Sequence, residues 1–510
     1  MSLDASPELA DVGRLARRLM RRAVSAARAE DAPIQSLLRG HLGTSLSSLP
    51  VVSGAWPGYE HVNVQVGLDC WLAAPGRTHG LIGLTGFRHM DFGLADLMQN
   101  SRFDSDLGVG SVATAARASG PGAQSLPCVQ CGLYLIDDAG TRLAILMRGP
   151  EERGAEEGVS LEAACTDPAA AQRALDEIQR LAIDGNVFRG HVISFDSEVF
   201  GHRRGALLNF LDRPQVDRAE VILPPDVLDG IERQVIGVAR HSRLLRASGQ
   251  HLKRGVLLHG PPGTGKTHTV RYLLGQLPGV TSVVVSGYAL QFIAEACSVA
   301  RTLQPSIIVI EDVDLIAEER GRHPGQHPLL FQLLNEMDGL GADADVTFLL
   351  TTNRADLLEE ALAARPGRVD HAAELPIPDR EARRRLIQLY RGGLTLDLTD
   401  GETVLTRTDG VTASFLKELL RRAALVAAEQ LTAGEDQASE DQASEDQAAL
   451  RVTDAHLTAA LDQLLDTRSQ LTRILLGGRQ HATAPDHPAP DYPAPDYPVP
   501  EPAPDYPAPD

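Results

Sequence analysis

Residues 255–268 read Gly255-Val256-Leu257-Leu258-His259-Gly260-Pro261-Pro262-Gly263-Thr264-Gly265-Lys266-Thr267-His268. A short apolar run of the kind that forms a buried strand feeds a glycine-rich turn, and a helix opens behind it. Gly260 to Thr267 match G-x-x-x-x-G-K-[ST] in full. Glycines let the backbone curl so that successive N–H groups point inward at phosphate oxygens. The following helix adds the positive end of its dipole. In such a loop Lys266 reaches the β- and γ-phosphates, and the Thr267 hydroxyl coordinates Mg²⁺. The residues expected to hold ATP are Gly260, Pro261, Pro262, Gly263, Thr264, Gly265, Lys266, Thr267 and His268. The competing reading is a glycine turn that binds nothing; the strand–loop–helix context argues against it.

Further along, the apolar run Ile307-Ile308-Val309-Ile310 ends in Glu311-Asp312. One carboxylate at a strand end can hold the metal, usually through water, and a second can orient and deprotonate an attacking water. Glu311 is assigned the metal side together with Thr267, and Asp312 the water side. Short apolar strands are expected at Val256–His259, Ser282–Val285, Ile307–Ile310, Thr347–Leu350 and Ala372–Leu375, alternating with helices. Such near-continuous apolar runs suit a parallel sheet covered on both faces. The expected class is α/β: a P-loop doubly wound parallel sheet with a C-terminal helical lid, preceded by a separate α/β domain.

On these residues the chain resembles an AAA ATPase from about 222 to 465. Phe331–Leu340, FQLLNEMDGL, is similar to the family's helix before its fourth strand. Leu349-Leu350-Thr351-Thr352-Asn353-Arg354 resembles its sensor-1 segment, which implies that Asn353 touches the γ-phosphate or the attacking water. Ala364-Arg365-Pro366-Gly367-Arg368-Val369-Asp370 resembles its arginine-finger segment, which implies that Arg365 and Arg368 reach the ATP of a neighbouring subunit. A guanidinium neutralises charge on the transferring phosphoryl group and stays protonated. Pro376–Asp379 and the helices from Gly410 resemble the lid. The resemblance implies ATP hydrolysis, a homo-oligomer in the form of a hexameric ring, and a protein client; an ATP-gated scaffold or switch with slow hydrolysis is the alternative.

Two departures stand out. The family usually reads Asp-Glu where this chain reads Glu311-Asp312, which leaves the water-side carboxylate one methylene shorter. The segment Tyr288–Gln304 is shorter than in typical members, where it carries an aromatic that grips substrate; Phe292-Ile293-Ala294-Glu295 vaguely resembles that stretch, and Phe292 reads slightly better as core. No His-Glu-x-x-His or Gly-x-Ser-x-Gly occurs in the 510 residues, so neither a zinc-protease nor a serine-hydrolase motif accompanies the loop.

The net charge of −20 is uneven. The Glu-Asp repeats at 435–446 and the tail from Asp486 to Asp510 each hold six acids and no Lys or Arg, leaving about −8 for the rest. That balance gives no general reason to expect nucleic-acid binding. Five scattered cysteines form no disulfide framework, and the lone Cys128-x-x-Cys131 reads as two ordinary thiols. His79, His89, His191 and His202 lack a metal-ligand rhythm. No apolar run reaches the ~20 residues that span a bilayer, and the start of the chain lacks a signal-peptide core, so a soluble, cytoplasmic protein is expected.

The expected organisation is a helical arm at 1–49, an α/β domain at 50–200, a linker at 201–220, an ATPase subdomain at 221–378, a lid at 379–470 with an acidic insert at 433–449, and an extended Pro/Asp/Tyr tail at 471–510. Residues 8–29 are expected to form an amphipathic helix with arginines opposite the apolar face, either docking on an acidic partner or membrane, or simply packing with a solvated face. The alternation Val62, Val64, Val66, Leu68 reads as a half-buried strand. A hairpin is expected around 137–142, a helix over Ala170–Leu181 and a strand over Val187–Phe195.

Overall fold

The computed structural model describes residues 33–88, 90, 92–99, 107–150, 158–196, 207–314, 328–341, 344–356, 369–435 and 450–465. The 8–29 helix, His89, His202, Arg365, Arg368, most of the acidic insert and the tail lie outside them.

The first unit is built on an antiparallel sheet of β1 (Val51–Pro57), β2 (Arg77–Thr85), β3 (Gly108–Gly110), β4 (Ala113–Ala118), β5 (Ser125–Asp138), β6 (Thr141–Arg148) and β7 (Gly158–Cys165). Its order is β1-β7-β6-β5-β2-β3, with β4 also on β5. The hairpin β5–β6 turns at Ala139-Gly140, both with positive φ, as a tight two-residue connection requires. Helix Pro168–Asp184 forms as expected, with Asp167 accepting a capping hydrogen bond from the Ala169 N–H.

Three expectations need correction. Residues 61–72 are a helix, not a strand. This helix is packed against the sheet and against helix Pro168–Asp184, so the polar positions His61, Asn63 and Gln65 are buried as well, and only Asp69 and Cys70 near its end are exposed. The His61 ring bonds to Val129 O, Asn63 Oδ1 accepts from Val187 N–H, and Gln65 Oε1 accepts from Val129 N–H. The period-2 pattern reflected two kinds of buried contact. Gly67 permits the close helix crossing, because a Cβ there would lie 2.6 Å from Ile178 O.

Second, the described part of the supposed arm, helix Pro33–Leu42, lies on the first sheet. Its Ile34, Leu38 and Leu42 share a core with Leu84, Leu133 and Leu146. Third, the boundary at 200 cuts through a sheet. The strand expected over Val187–Phe195 is β8 (Val192–Asp196), and the expected linker contains β9 (Leu207–Leu211). Both strands extend the second sheet, β8 by parallel pairing with β11 and β9 by antiparallel pairing with β8.

That second sheet holds β10 (Arg254–His259), β11 (Thr281–Val285), β12 (Ser306–Ile310), β13 (Val346–Thr352) and β14 (His371–Glu374), in the order β14-β10-β13-β12-β11-β8-β9. All pairs but β8–β9 are parallel. Every residue of β12 and β13 is buried, as a sheet covered on both faces demands. Arg213, just after β9, ties this extension to the sheet's first crossover: its guanidinium donates to Leu274 O, Gly190 O and Val280 O. The cores of the two units meet where Tyr59 packs edge-on against Phe195, 6.0 Å between centroids, and Phe195 stacks with Phe292 at 6.3 Å. A third core joins the helices Arg380–Tyr390, Gly401–Arg407, Ala413–Glu435 and Asp454–Leu465 with the short parallel pair β15 (Thr395–Asp397) and β16 (Arg451–Thr453).

His61 gives the first unit a pH dependence. It is fully buried, 2.8 Å from Val129 O, and its Nδ1 accepts from Arg117 Nε at 3.3 Å. Burial, reinforced by the Arg117 charge, lowers its pKa to about 4, against the bond to Val129. Between pH 6.5 and 4 the unfolded chain therefore takes up a proton that the folded chain refuses, so stability falls as pH falls through that window. The expected loss at pH 5 relative to pH 7.5 is on the order of 2 kcal/mol. Urea unfolding at the two pH values should show it in the native protein and show its removal in His61→Gln; equal sensitivity in both proteins would refute the assignment.

Candidate nucleotide site

The site forms at the carboxyl ends of β10, β12 and β13, where the order of an open parallel sheet reverses and ligands are generally held. Gly260, Gly263 and Gly265 all have positive φ, +142°, +81° and +102°. A Cβ on Gly260 would lie 2.4 Å from Leu375 O, and one on Gly263 would lie 2.8 Å from Thr412 Oγ1 and 2.9 Å from Ser414 Oγ. Glycine is thus required both by the curl of the loop and by its neighbours. Helix Lys266–Gly275 begins at once behind Gly265. Thr264 Oγ1 donates to Pro261 O at 2.9 Å, and Thr269 Oγ1 to Gly265 O at 3.0 Å, which stiffens the turn.

Lys266 is buried, and its Nζ donates to Gly260 O at 2.8 Å and Pro261 O at 3.0 Å. Burial lowers its pKa, opposed by the nearby charges of Asp312 and Asp314. The Thr267 hydroxyl hydrogen-bonds the Glu311 carboxylate. Burial raises the Glu311 pKa; the Thr267 bond opposes it, the Asp312 charge adds to it and Arg271 counters it. An oxygen-rich, partly buried pair of this kind suits a hard divalent cation such as Mg²⁺. His268 faces away from the loop, its ring 3.2 Å from Glu220 O.

Asp312 follows β12 in the left-handed region, φ +52°. Its N–H donates to Thr351 Oγ1 at 3.1 Å, and its Oδ1 accepts from Asn353 Nδ2 at 3.3 Å. Glu311, Asp312 and Asn353 are thereby brought together beside Lys266 and Thr267. The left-handed backbone gives the reversed order of the acidic pair a physical sense: Asp enters that region more readily than Glu. Sequence reasoning missed two features. Asp314, buried two residues on, accepts from Thr352 and Asn353; the run of three acids at Glu311, Asp312 and Asp314 was the available signal. The lid meets the loop directly, with Ser414 N–H donating to Gly263 O at 3.2 Å; no local pattern encodes that contact.

Phe292, half-buried, packs on Phe195 in the shared core. Cys128 and Cys131 lie three apart on β5 and face different cores, so the pair shares no site. Among the described residues no cluster of His, Cys, Asp and Glu could hold a metal by itself, and no helix is long and apolar enough to cross a membrane.

The family described as "ATPase family associated with various cellular activities (AAA)" matches residues 256–377. Among curated proteins, the proteasome-activating nucleotidase of Methanosphaerula palustris is 34% identical over 238 residues, which covers 42% of this chain and 58% of that protein. The ATP-dependent zinc metalloprotease FtsH 2 of Symbiobacterium thermophilum is 34% identical over 221 residues, covering 40% and 37%. FtsH of Alkalihalophilus pseudofirmus is 36% identical over 210 residues, covering 38% and 31%. The chain thus spans only 31% to 58% of the length of these relatives. The matched segment contains the phosphate loop, the acidic strand end and the Asn353 segment, on a largely parallel sheet, and over residues 256–377 the chain matches the AAA family.

Proposed function

We propose that this protein binds ATP with Mg²⁺, hydrolyses it, and couples the cycle to remodelling of a protein client in a homo-oligomeric, hexameric ring. The observation that carries the reading is the convergence of Lys266, the Thr267–Glu311 pair and the Asp312–Asn353 pair on one end of the sheet. The loop N–H groups and the helix N-terminus receive the phosphates. Lys266 leaves its two carbonyls for phosphate oxygens, a stronger charge-assisted partner. Thr267 and Glu311 would hold Mg²⁺, which when bound would neutralise charge on the β- and γ-phosphates. Asn353 orients the attacking water, and Asp312 accepts its proton. Arg365 and Arg368, by the family resemblance, stabilise the transferring group from the adjacent subunit.

The names of the relatives, a nucleotidase that activates the proteasome and ATP-dependent proteases, support a protein client. A second reading, an ATP-gated switch with slow turnover, is favoured by one observation: Phe292, the candidate for gripping a client, is stacked on Phe195 at the junction with the first unit.

The test is the steady-state ATPase rate against protein concentration, with size followed by light scattering. A rate per subunit that rises with assembly, and falls on the order of 10³-fold in Arg368→Ala with ATP affinity little changed, is the expected result. Full turnover by a lone subunit, unaffected by the substitution, would refute action in trans. ATP-induced assembly with negligible turnover would favour the switch.

A further inference from the structure

Asp314 lies just past the acidic pair. The residue is 7% exposed. Oδ1 accepts two hydrogen bonds, from Thr352 Oγ1 at 2.9 Å and from the Asn353 backbone N–H at 3.2 Å. Thr352 is itself fully buried, and Val313 N–H donates to Thr351 O at 2.9 Å, so the two strand ends stay paired beyond β12. Asn353 then passes its side-chain amide to Asp312. The sequence of contacts runs from Asp314 to the backbone of Asn353, through its side chain, to the water-side carboxylate. Two donors on one carboxylate oxygen make a strong anchor, and it fixes the backbone from which Asn353 springs.

We propose that Asp314 is a positioning residue for hydrolysis: by accepting from Thr352 and Asn353 it sets the Asn353 side chain, and through it Asp312, at the attacking water. The proposal rests on the hydrolytic reading above. It gives a role to a buried acid that none of the other assignments uses, and it places that role in turnover rather than in nucleotide binding. The rival is electrostatic, since the charge of Asp314 also acts on Lys266; a role of that kind would appear in ATP affinity.

The experiment compares Asp314→Asn, which keeps the acceptor oxygen and removes the charge, with Asp314→Ala, which removes both, in the full chain with Mg²⁺ and ATP. A displaced catalytic group costs about 10- to 100-fold in rate. Asp314→Ala is therefore expected to lose that much kcat with KM for ATP within about threefold of the native value, while Asp314→Asn keeps kcat within about threefold. Equal impairment in both variants, or a change confined to KM, overturns the proposal. Thr352→Val removes the donor to Asp314, and with it the acceptor of the Arg354 N–H, while preserving shape, and it guards against a failure of Asp314→Ala to fold; its kcat should fall with KM unchanged, and an unchanged kcat also overturns the proposal. Native turnover that is lost in Asp312→Ala but intact in Asp314→Ala refutes this inference alone. Native protein that binds ATP without any turnover refutes the hydrolytic reading and this inference with it.

Discussion

Lys266→Ala is expected to abolish ATP turnover and to weaken ATP binding by about 10- to 100-fold or more. The ammonium is the buried cation of the loop, parked on two carbonyls that cannot compete with phosphate oxygens once ATP arrives. Its removal leaves the phosphate charge without that partner, although the loop N–H groups remain. The empty fold should tolerate the change, because burial already disfavours the charged form of Lys266. The clearest readout is thermal unfolding with and without Mg·ATP. At a ligand concentration of about 100 times Kd the native protein gains about 2.7 kcal/mol. At the same concentration a Lys266→Ala protein weakened about 10- to 100-fold should gain only about 1.4 to 0.4 kcal/mol. A normal ATP-induced shift in the variant would remove the phosphate loop from the mechanism.

Asp312→Ala is the second large effect, and it should separate binding from chemistry. Loss of a general base costs about 10²- to 10⁴-fold in turnover. Asp312 lies outside the phosphate loop and meets it only through its charge on Lys266, so ATP should still bind and assembly should still occur. The variant should accumulate bound ATP, measurable by filter binding alongside the steady-state rate. Asp312→Glu carries the sharper test. The family's usual residue at this position is Glu, yet here the backbone is left-handed and the carboxylate is already within 3.3 Å of Asn353 Nδ2. Glu would enter that conformation less readily and its longer side chain would overrun Asn353. The exchange should therefore leave turnover no faster than native. An Asp312→Glu protein that is markedly faster would show that the short side chain, not the local backbone, limits this site.

Much of the site was legible because its chemistry is local. The phosphate loop spans eight consecutive residues, and each needs only its own strand and helix to take shape. The strands β10 to β13 were legible for a related reason: a strand buried on both faces is largely apolar along its length. Legibility failed where a segment was buried by partners distant in sequence. Val62 to Leu68 reads as alternating only if the polar positions face water, and here they bond to Val129 and Val187. The boundary near residue 200 failed in the same way, since nothing within Val192–Asp196 says that it will pair with Thr281–Val285.

The sequence by itself determined the phosphate loop, the acidic strand end, the positions of the ATPase strands and the family resemblance, because each is encoded by residue type at fixed short spacing. The tertiary structure alone decided four things. Asp312 turns left-handed to meet Asn353, and Asp314 anchors that asparagine from below. Ser414 of the lid closes on Gly263, and Phe292 is spent on the junction with the first unit. Each is a contact between residues brought together by the closing of sheets and cores, and its energy depends on distance in space, which no spacing along the chain records.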